Sequence, residues 1–488
     1  MSMMALQGPL RGANIAFDAW REEMVMRGQK VERFRRYRDG DYDANLTPEM
    51  RRALRVKPNP DNSNEFGINY CETVVSTYVD RLNVQTISSD KEEATAFIQE
   101  VMRLNRFDGL QIDVHDAAAV DADTYLMVHW DNEKKRVKWT QEAAYDGTEG
   151  MVPVYARNDR TEMYAAVKFW QETMNSYADT LRVNIYFADR VERFTGSAGG
   201  TGGMTRMDVQ PNPVGMVPVV PFANRARGNA PYGLSELESV VPLQDSLNRT
   251  LHSMIMASEM SAFQIRYAIG TKAPQALTPG MFLEIYARDA SGNETSPTAE
   301  ETEWLKAIRY GAFEQGDIGQ YLAQAKFIIE QIHDVTKTPK RGTLASTVSG
   351  EALKQEEIGL VSKARRAQTK FGNSWERAAL LSVLTQNAFG RQAQRIPDAE
   401  FFCEWRDAEV RNDAQTLDMA LKVADLYGAE MAIKLSAKAF DLSPEQVAEI
   451  IEARAAEEAR RLQTMAFTGV NGFGLVPGQS QPGNGETA

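Results

Sequence analysis

The chain has 488 residues, with 55 Lys and Arg against 67 Asp and Glu, a formal net charge of −12. That length supports about three structural units with ample core, and the acidic balance excludes a monomer that coats duplex DNA through a generally basic surface. The two cysteines, Cys71 and Cys403, supply neither a disulfide framework nor a cysteine zinc site.

No apolar run approaches the ~18 residues of a membrane span, and Met1 to Arg11 lacks the charged start and apolar centre of a signal peptide, so cytosolic synthesis and no membrane partner are expected. The four histidines, His115, His129, His252 and His333, sit in no zinc-helix, Ser/His/Asp or Cys/His pattern. Catalysis by histidine is therefore not expected, and neither a cofactor nor a bound metal is called for.

In chain order, the first 55 residues carry helix signals with a basic, aromatic stripe through Lys30, Arg33, Phe34, Arg35, Arg36, Tyr37 and Arg38. Such a stripe suits a phosphate chain or a protein partner, and equally a solvated amphipathic face. After the loop at Pro58 to Pro60, helices are expected at Tyr70 to Leu82 and Lys91 to Phe107. An acidic cluster follows, Asp108, Asp113, Asp116, Asp121 and Asp123 around His115. Hard cations favour oxygen ligands, but this spacing fits no calcium loop, and a solvated helix face produces the same pattern.

From Thr124 the period changes to two. Tyr125 to Trp130, Arg136 to Trp139, Val152 to Tyr155, Ala165 to Phe169 and Val183 to Phe187 read as strands. The glycine-rich Gly196 to Gly203 lacks both the Gly-Lys-Ser/Thr of a phosphate loop and the G-x-G-x-x-G spacing, and reads as a hairpin tip. From Gly233 helices dominate: Leu234 to Phe263, with Pro242 starting or bending it, then a small β insertion at Gln264 to Glu303, then Phe313 to Val335.

Lys337 to Gly350 contains three basic residues and no acidic one, and Pro339 and Gly342 forbid a regular helix. Ser349 is placed to cap a long helix from Gly350, with Glu351 at its positive end. Along that helix Leu353, Leu360, Ala364, Phe371, Trp375 and Ala378 form the apolar face, while Lys363, Arg366, Lys370 and Arg377 form a basic stripe. The stripe reads either as solvated or as pairing with acidic neighbours across a subunit boundary. Gly359 and Gly372 permit bending. Phe401 to Trp405 reads as a strand, Ser443, Pro444 and Gln446 open a helix over Val447 to Leu462, and Thr468 to Ala488 has little to bury.

This order of parts resembles the portal proteins of tailed bacteriophages, in particular siphophages of actinobacteria. The resemblance rests on YGLSELESVVPLQDSLNRTLHSMIMASEMSAF (Tyr232 to Phe263), on the β insertion with its returning helix, and on TPKRGTLASTVSGEALKQEE (Thr338 to Glu357). LQIDVHDAAAVDADTYLMVHWD (Leu110 to Asp131) is similar to a helix and strand of the family's wing, with Ala122 and Asp123 where glycine is expected.

The resemblance implies an α+β, predominantly helical portal fold assembled as a ring. The parts would be a wing (1–232), first stem helix (233–263), clip (264–308), second stem helix (309–336), tunnel loop (337–350), long kinked helix with wing return strand (351–412), helical crown (413–465) and disordered tail (466–488). It implies a ring of twelve subunits at one capsid vertex of the virion, assembled in the host cytoplasm with major capsid and scaffolding proteins. Double-stranded DNA would enter through it under a terminase and later leave, and a head completion or adaptor protein would attach. Portals themselves are not enzymes.

Carried over by position, Lys337, Lys340, Arg341, Thr343, Ser346, Thr347 and Ser349 would line the narrowest part of the channel. Glu236, Glu238, Asp245, Glu259 and Asp317 would form a repulsive stem wall. Two other classes remain open on the residues alone: a metal-dependent nucleic-acid enzyme built on Asp113, Asp116, Asp121 and Asp123, and a helical scaffold that only binds proteins.

Overall fold

A computed structural model describes residues 6–13, 17–42, 67–156, 159–173, 179–197, 204–228, 230, 232–262, 266–269, 282–285, 309–312, 318–340, 350–391, 395–409, 422, 431–433 and 444–470. These divide into two units, Met1–Ala408 and Glu409–Ala488.

The first unit opens with α1 (Phe17–Arg38) and continues through α2 (Tyr70–Val79), β1 (Val84–Ser89), α3 (Glu92–Leu104) and α4 (Phe107–Asp121). Asn69 caps α2 by accepting from the Glu72 amide at 3.2 Å, one of the amides a helix start leaves unpaired. α3 buries Ala94, Ile98, Val101 and Met102, the spacing of a single apolar face.

Three antiparallel strands follow, β2 (Asp123–Asp131), β3 (Arg136–Ala143) and β9 (Val219–Ala223), in the order β3-β2-β9. The first six residues of the central β2 are buried, so no alternation of apolar and polar residues marks it there. α7 (Gly350–Phe389) packs on this sheet with Leu360, Ala364, Phe371, Trp375 and Ala378 of its predicted apolar face in the core, while the side chain of Leu353 lies outside the described residues. Gly359 and Gly372 let α7 pack closely on its neighbours: a Cβ at Gly359 would lie 3.3 Å from Lys337 Cβ, and one at Gly372 3.2 Å from Trp405 Nε1. β13 (Phe401–Trp405) pairs antiparallel with β1, which returns the chain to its N-terminal part.

Between β3 and β9 lies a five-stranded antiparallel meander: β4 (Gly150–Ala156), β5 (Asp159–Thr173), β6 (Asp179–Phe187), β7 (Arg190–Ser197) and β8 (Thr205–Pro211). One face buries Val152, Val154, Val167, Phe169, Val183 and Ile185 against Leu6, Leu10, Phe17, Trp20 and Met24. β7 and β8 pair antiparallel up to Thr195 and Thr205, and residues 198–203 of the expected hairpin tip lie outside the described residues.

The second helical pair is α5 (Val241–Ala262) and α6 (Ile318–Thr336), packed against each other. Residues 236–240 form turns, and Pro242 sits in the first turn of α5, where its missing amide costs nothing, so the helix starts seven residues later than expected. β10 (Arg266–Ile269) pairs parallel with β11 (Phe282–Ile285) and antiparallel with β12 (Arg309–Ala312). The β insertion thus extends past residue 308 into the stretch expected to be helical, and α6 begins only at Ile318. In the second unit, α8 (Pro444–Val470) begins at the predicted proline and continues past 466, so the first residues of the expected tail are helical.

Candidate functional site

The chain between β9 and α5 is where the predicted functional residues converge. Gly233 passes so close to the strand start that a Cβ there would collide with the carbonyl oxygens of Ala122 and Asn224. Its amide donates to Asp123 Oδ1 at 2.7 Å. Ser235 Oγ donates to Val120 O at 2.6 Å and accepts from the Leu237 amide at 3.0 Å. Further on, Gln244 Oε1 accepts from the Tyr70 amide at 3.0 Å and Asn248 Oδ1 from the Ile68 amide at 3.2 Å. These polar residues fasten the root of α5 to α2 and α4.

Glu236 is buried at this root. It receives Asn224 Nδ2 at 3.0 Å, lies 3.7 Å from Arg225 and forms an ion pair with Lys363 of α7. Lys363 also donates to Thr336 O at 3.2 Å, capping the negative end of α6, and stands 4.7 Å over the Tyr78 ring. Burial pushes the Lys363 ammonium below its usual range; Glu236 opposes this, and the cations Arg225 and Lys337 add to it.

α6 ends in a Schellman turn, with Lys337 at positive φ and the Thr338 amide donating to His333 O at 3.1 Å. Next to this end is an open cleft of about 340 Å³ lined by Arg225, Lys337, Lys363, Arg366 and Lys370, with Tyr78 and Phe371 among its walls.

The basic stripe of α1 and the acidic cluster of α4 meet each other. Arg35 chelates Asp121, with Nη2 2.7 Å from Oδ2 and Nε 3.1 Å from Oδ1, and reaches Asp146 at 3.1 Å. Arg27 pairs with Asp123, and Arg38 with Asp116 at 3.2 Å. Burial pushes the Asp121 carboxyl up to about 6, against the pull of Arg35. Arginine thus occupies three of the four carboxylates proposed for a metal, while Asp113 is exposed. Among the described residues, no group of three or more His, Cys, Asp or Glu is arranged to hold an ion. The metal-enzyme reading loses its ligands.

His115, at the centre of that cluster in sequence, is fully buried among aromatic rings. It stacks on Phe371 at 5.3 Å, its Nδ1 lies 3.0 Å from Leu82 O, and its Nε2 accepts from Trp375 Nε1 at 3.1 Å. Leu82 O accepts only and the indole N–H donates only, so the ring is the neutral Nδ1–H tautomer. Burial lowers its pKa to about 4.

Comparison with known proteins supplies the family. The family described as "Phage portal protein, SPP1 Gp6-like" matches residues 22–461. The chain belongs to this portal family. It is 27% identical over 290 residues to the portal protein of Mycobacterium phage D29, covering 56% of this chain and 55% of that protein. It is 29% identical over 234 residues to the portal protein of Mycobacterium phage L5, covering 45% and 43%. The chain thus spans about half the length of the curated relatives it matches. Among solved structures it is similar to a chain in the neck of an empty gene transfer agent particle, with TM-score 0.40, 10% identity and coverage of 74% and 86%. A chain in the neck of the native particle gives 0.39, 10%, 73% and 86%. The α+β fold agrees with portal membership, and portals are structural proteins of the phage particle, not enzymes.

The portal reading assigned five acids to the stem. Two of them face inward instead: Glu236 is buried as described, and Asp245 accepts from Tyr37 Oη at 2.6 Å and lies 3.6 Å from Arg33. Their charges are paired within the protomer. Glu238 remains half exposed, 3.8 Å from Lys30. The side chain of Glu259 and all of Asp317 lie outside the described residues.

Of the portal's predicted tunnel loop, Lys337 and Lys340 are described, and Lys340 pairs with Asp334 of α6 at 2.9 Å. Arg341, Thr343, Ser346, Thr347 and Ser349 lie outside the described residues.

The stripe on α7 also divides. Lys363 is committed to Glu236, Lys370 reaches Ala226 O, Arg366 lines the cleft, and Arg377 lies outside the cleft lining with a buried Nε that has no partner among the described residues. Sequence reasoning missed Arg225, Asn224, Gln244 and Asn248. Arg225, followed by Arg227 just before Gly228, was the available signal.

Proposed function

We propose that this chain is the protomer of a ring of twelve that forms the channel at one capsid vertex. Double-stranded DNA would be packaged through it by a terminase and would later leave by the same route, with a head completion or adaptor protein attached. The ring would assemble in the host cytoplasm with major capsid and scaffolding proteins. The observation that carries this reading is the family match over residues 22–461.

The arrangement of parts supports it. α5 and α6 pack as a pair with the three-stranded β10, β11 and β12 sheet between them in sequence, which suits a stem ending in a clip. The acid-free run Lys337 to Gly350 then sits between α6 and α7, where a tunnel loop would be. DNA must slide past it. Each phosphate neutralised raises affinity and salt dependence, so a loop of small hydroxyls and few cations, on a chain of net charge −12, conducts DNA without holding it.

Negative-stain images of the purified full chain test the reading. Closed rings with a central hole are expected; a homogeneous monomer across protein concentrations would overturn it.

A further inference from the structure

The cleft beside the C-terminal end of α6 carries more positive charge than the protomer uses. Arg225, Lys337, Lys363, Arg366 and Lys370 converge on about 340 Å³ of open space. Glu236 answers two of them, Lys363 and Arg225. Among the described residues, Lys370 reaches only the carbonyl of Ala226. Among the described residues, Arg366 and Lys337 have no ion pair and no side-chain hydrogen bond.

We infer that this cleft receives a carboxylate side chain from a second copy of the chain, an inference that rests on the assembly reading above. Charge complementarity favours that occupant, because a chain with twelve more acidic than basic residues carries a surplus of carboxylates. Shape favours it over duplex DNA. A duplex presents one charge per ~1.7 Å of axis and calls for a row of cations, whereas these cations close on one hollow between α7, the end of α6 and the segment after β9. The exposed Arg366 guanidinium offers a planar fork that matches a carboxylate in two parallel hydrogen bonds. Arg366, Lys337 and Lys370 are the receiving groups, and Lys363 stays with Glu236.

The test is zero-length carbodiimide cross-linking of assembled protein made from equal parts of unlabelled and ¹⁵N-labelled full-length chain, read by mass spectrometry. Links from Lys337 or Lys370 to Asp or Glu are expected between light and heavy peptides. The Lys340 and Asp334 pair, 2.9 Å apart, provides a same-copy control. The double variant Arg366→Glu, Lys370→Glu should shift sedimentation from rings toward monomers while leaving the thermal melt of the monomer unchanged.

Rings whose cleft lysines give only same-copy links, or rings that persist in the double variant, would overturn the inference and leave the assembly reading standing. Intact rings in that variant with lost binding of a fluorescent DNA duplex would also overturn it, by assigning the cleft to phosphate. Absence of mixed-isotope links anywhere, with monomers throughout, would overturn the assembly reading itself.

Discussion

Arg35 Nη2 lies 2.7 Å from Asp121 Oδ2, joining α1 to the last residue of α4. The aspartate is buried and the arginine about a third exposed, so the two partners are not equivalent. Arg35→Met strands a buried carboxylate and should cost about 3–5 kcal/mol. Asp121→Asn should cost less, about 1 kcal/mol, because Arg35 keeps Asp146 and the Ala144 carbonyl. Protonation neutralises the stranded acid, so the Arg35→Met deficit should shrink as pH falls from 7 to 5. Urea unfolding of both variants at the two pH values checks the asymmetry and its direction.

The neutral His115 ring makes stability depend on acid. Its folded pKa of about 4 lies below the ordinary 6.5, so its contribution is complete above pH 6.5 and is lost as pH falls toward 4. Over that window the slope approaches ~1.4 kcal/mol per pH unit. His115→Phe should abolish this part of the slope while costing about 1–3 kcal/mol at neutral pH, since the Trp375 N–H and Leu82 carbonyl lose their partner. Chemical denaturation from pH 7 to 4.5 measures both.

Two small residues at the root of α5 should respond in opposite ways. Ala122 holds φ at 75°, a conformation that costs a residue with a Cβ about 1–3 kcal/mol. Ala122→Gly should therefore raise the unfolding midpoint, the gain reduced by about 0.4–1 kcal/mol for the freer unfolded chain. Gly233→Ala drives a methyl into two carbonyl oxygens and should prevent soluble expression or lower the melting temperature sharply. Differential scanning fluorimetry separates the outcomes.

At the ion pair under the cleft, Lys363→Met leaves the Glu236 carboxylate buried with only Asn224 and a more distant Arg225, and about 3 kcal/mol of stability should be lost. Adding Glu236→Gln to that variant should recover part of it. Recovery in urea titrations would show that the buried charge, not the lost methylenes, carries the cost.

Lys340→Glu with Arg341→Glu should leave rings intact and impair DNA packaging or genome retention in infected cells. The motive is the acid-free stretch after α6, where Lys340 already has a partner in Asp334. Normal packaging by the double variant would exclude these side chains from DNA handling.

Much was legible from residue order. Period-two segments became strands, Pro242 and Pro444 began helices, the apolar face of α7 was read correctly from Leu360 to Ala378, and the order of helix, insertion, helix, basic loop and long helix carried the family resemblance. These are local or sequential properties, fixed by side-chain period and turn chemistry. Tertiary structure alone decided what the charges do. A stripe of cations on α1 and a cluster of acids on α4 each read as a surface seeking a partner, yet Arg38 pairs with Asp116 and Arg35 with Asp121 across 78 to 86 residues of chain. Glu236 and Asp245 read as channel-facing acids, yet their carboxylates turn into the protomer. Arg225 and Lys337, unremarkable in sequence as a set, share one hollow with Arg366. Coulombic pairing depends on distance in space, and sequence spacing sets that distance only within a helix or between neighbouring strands.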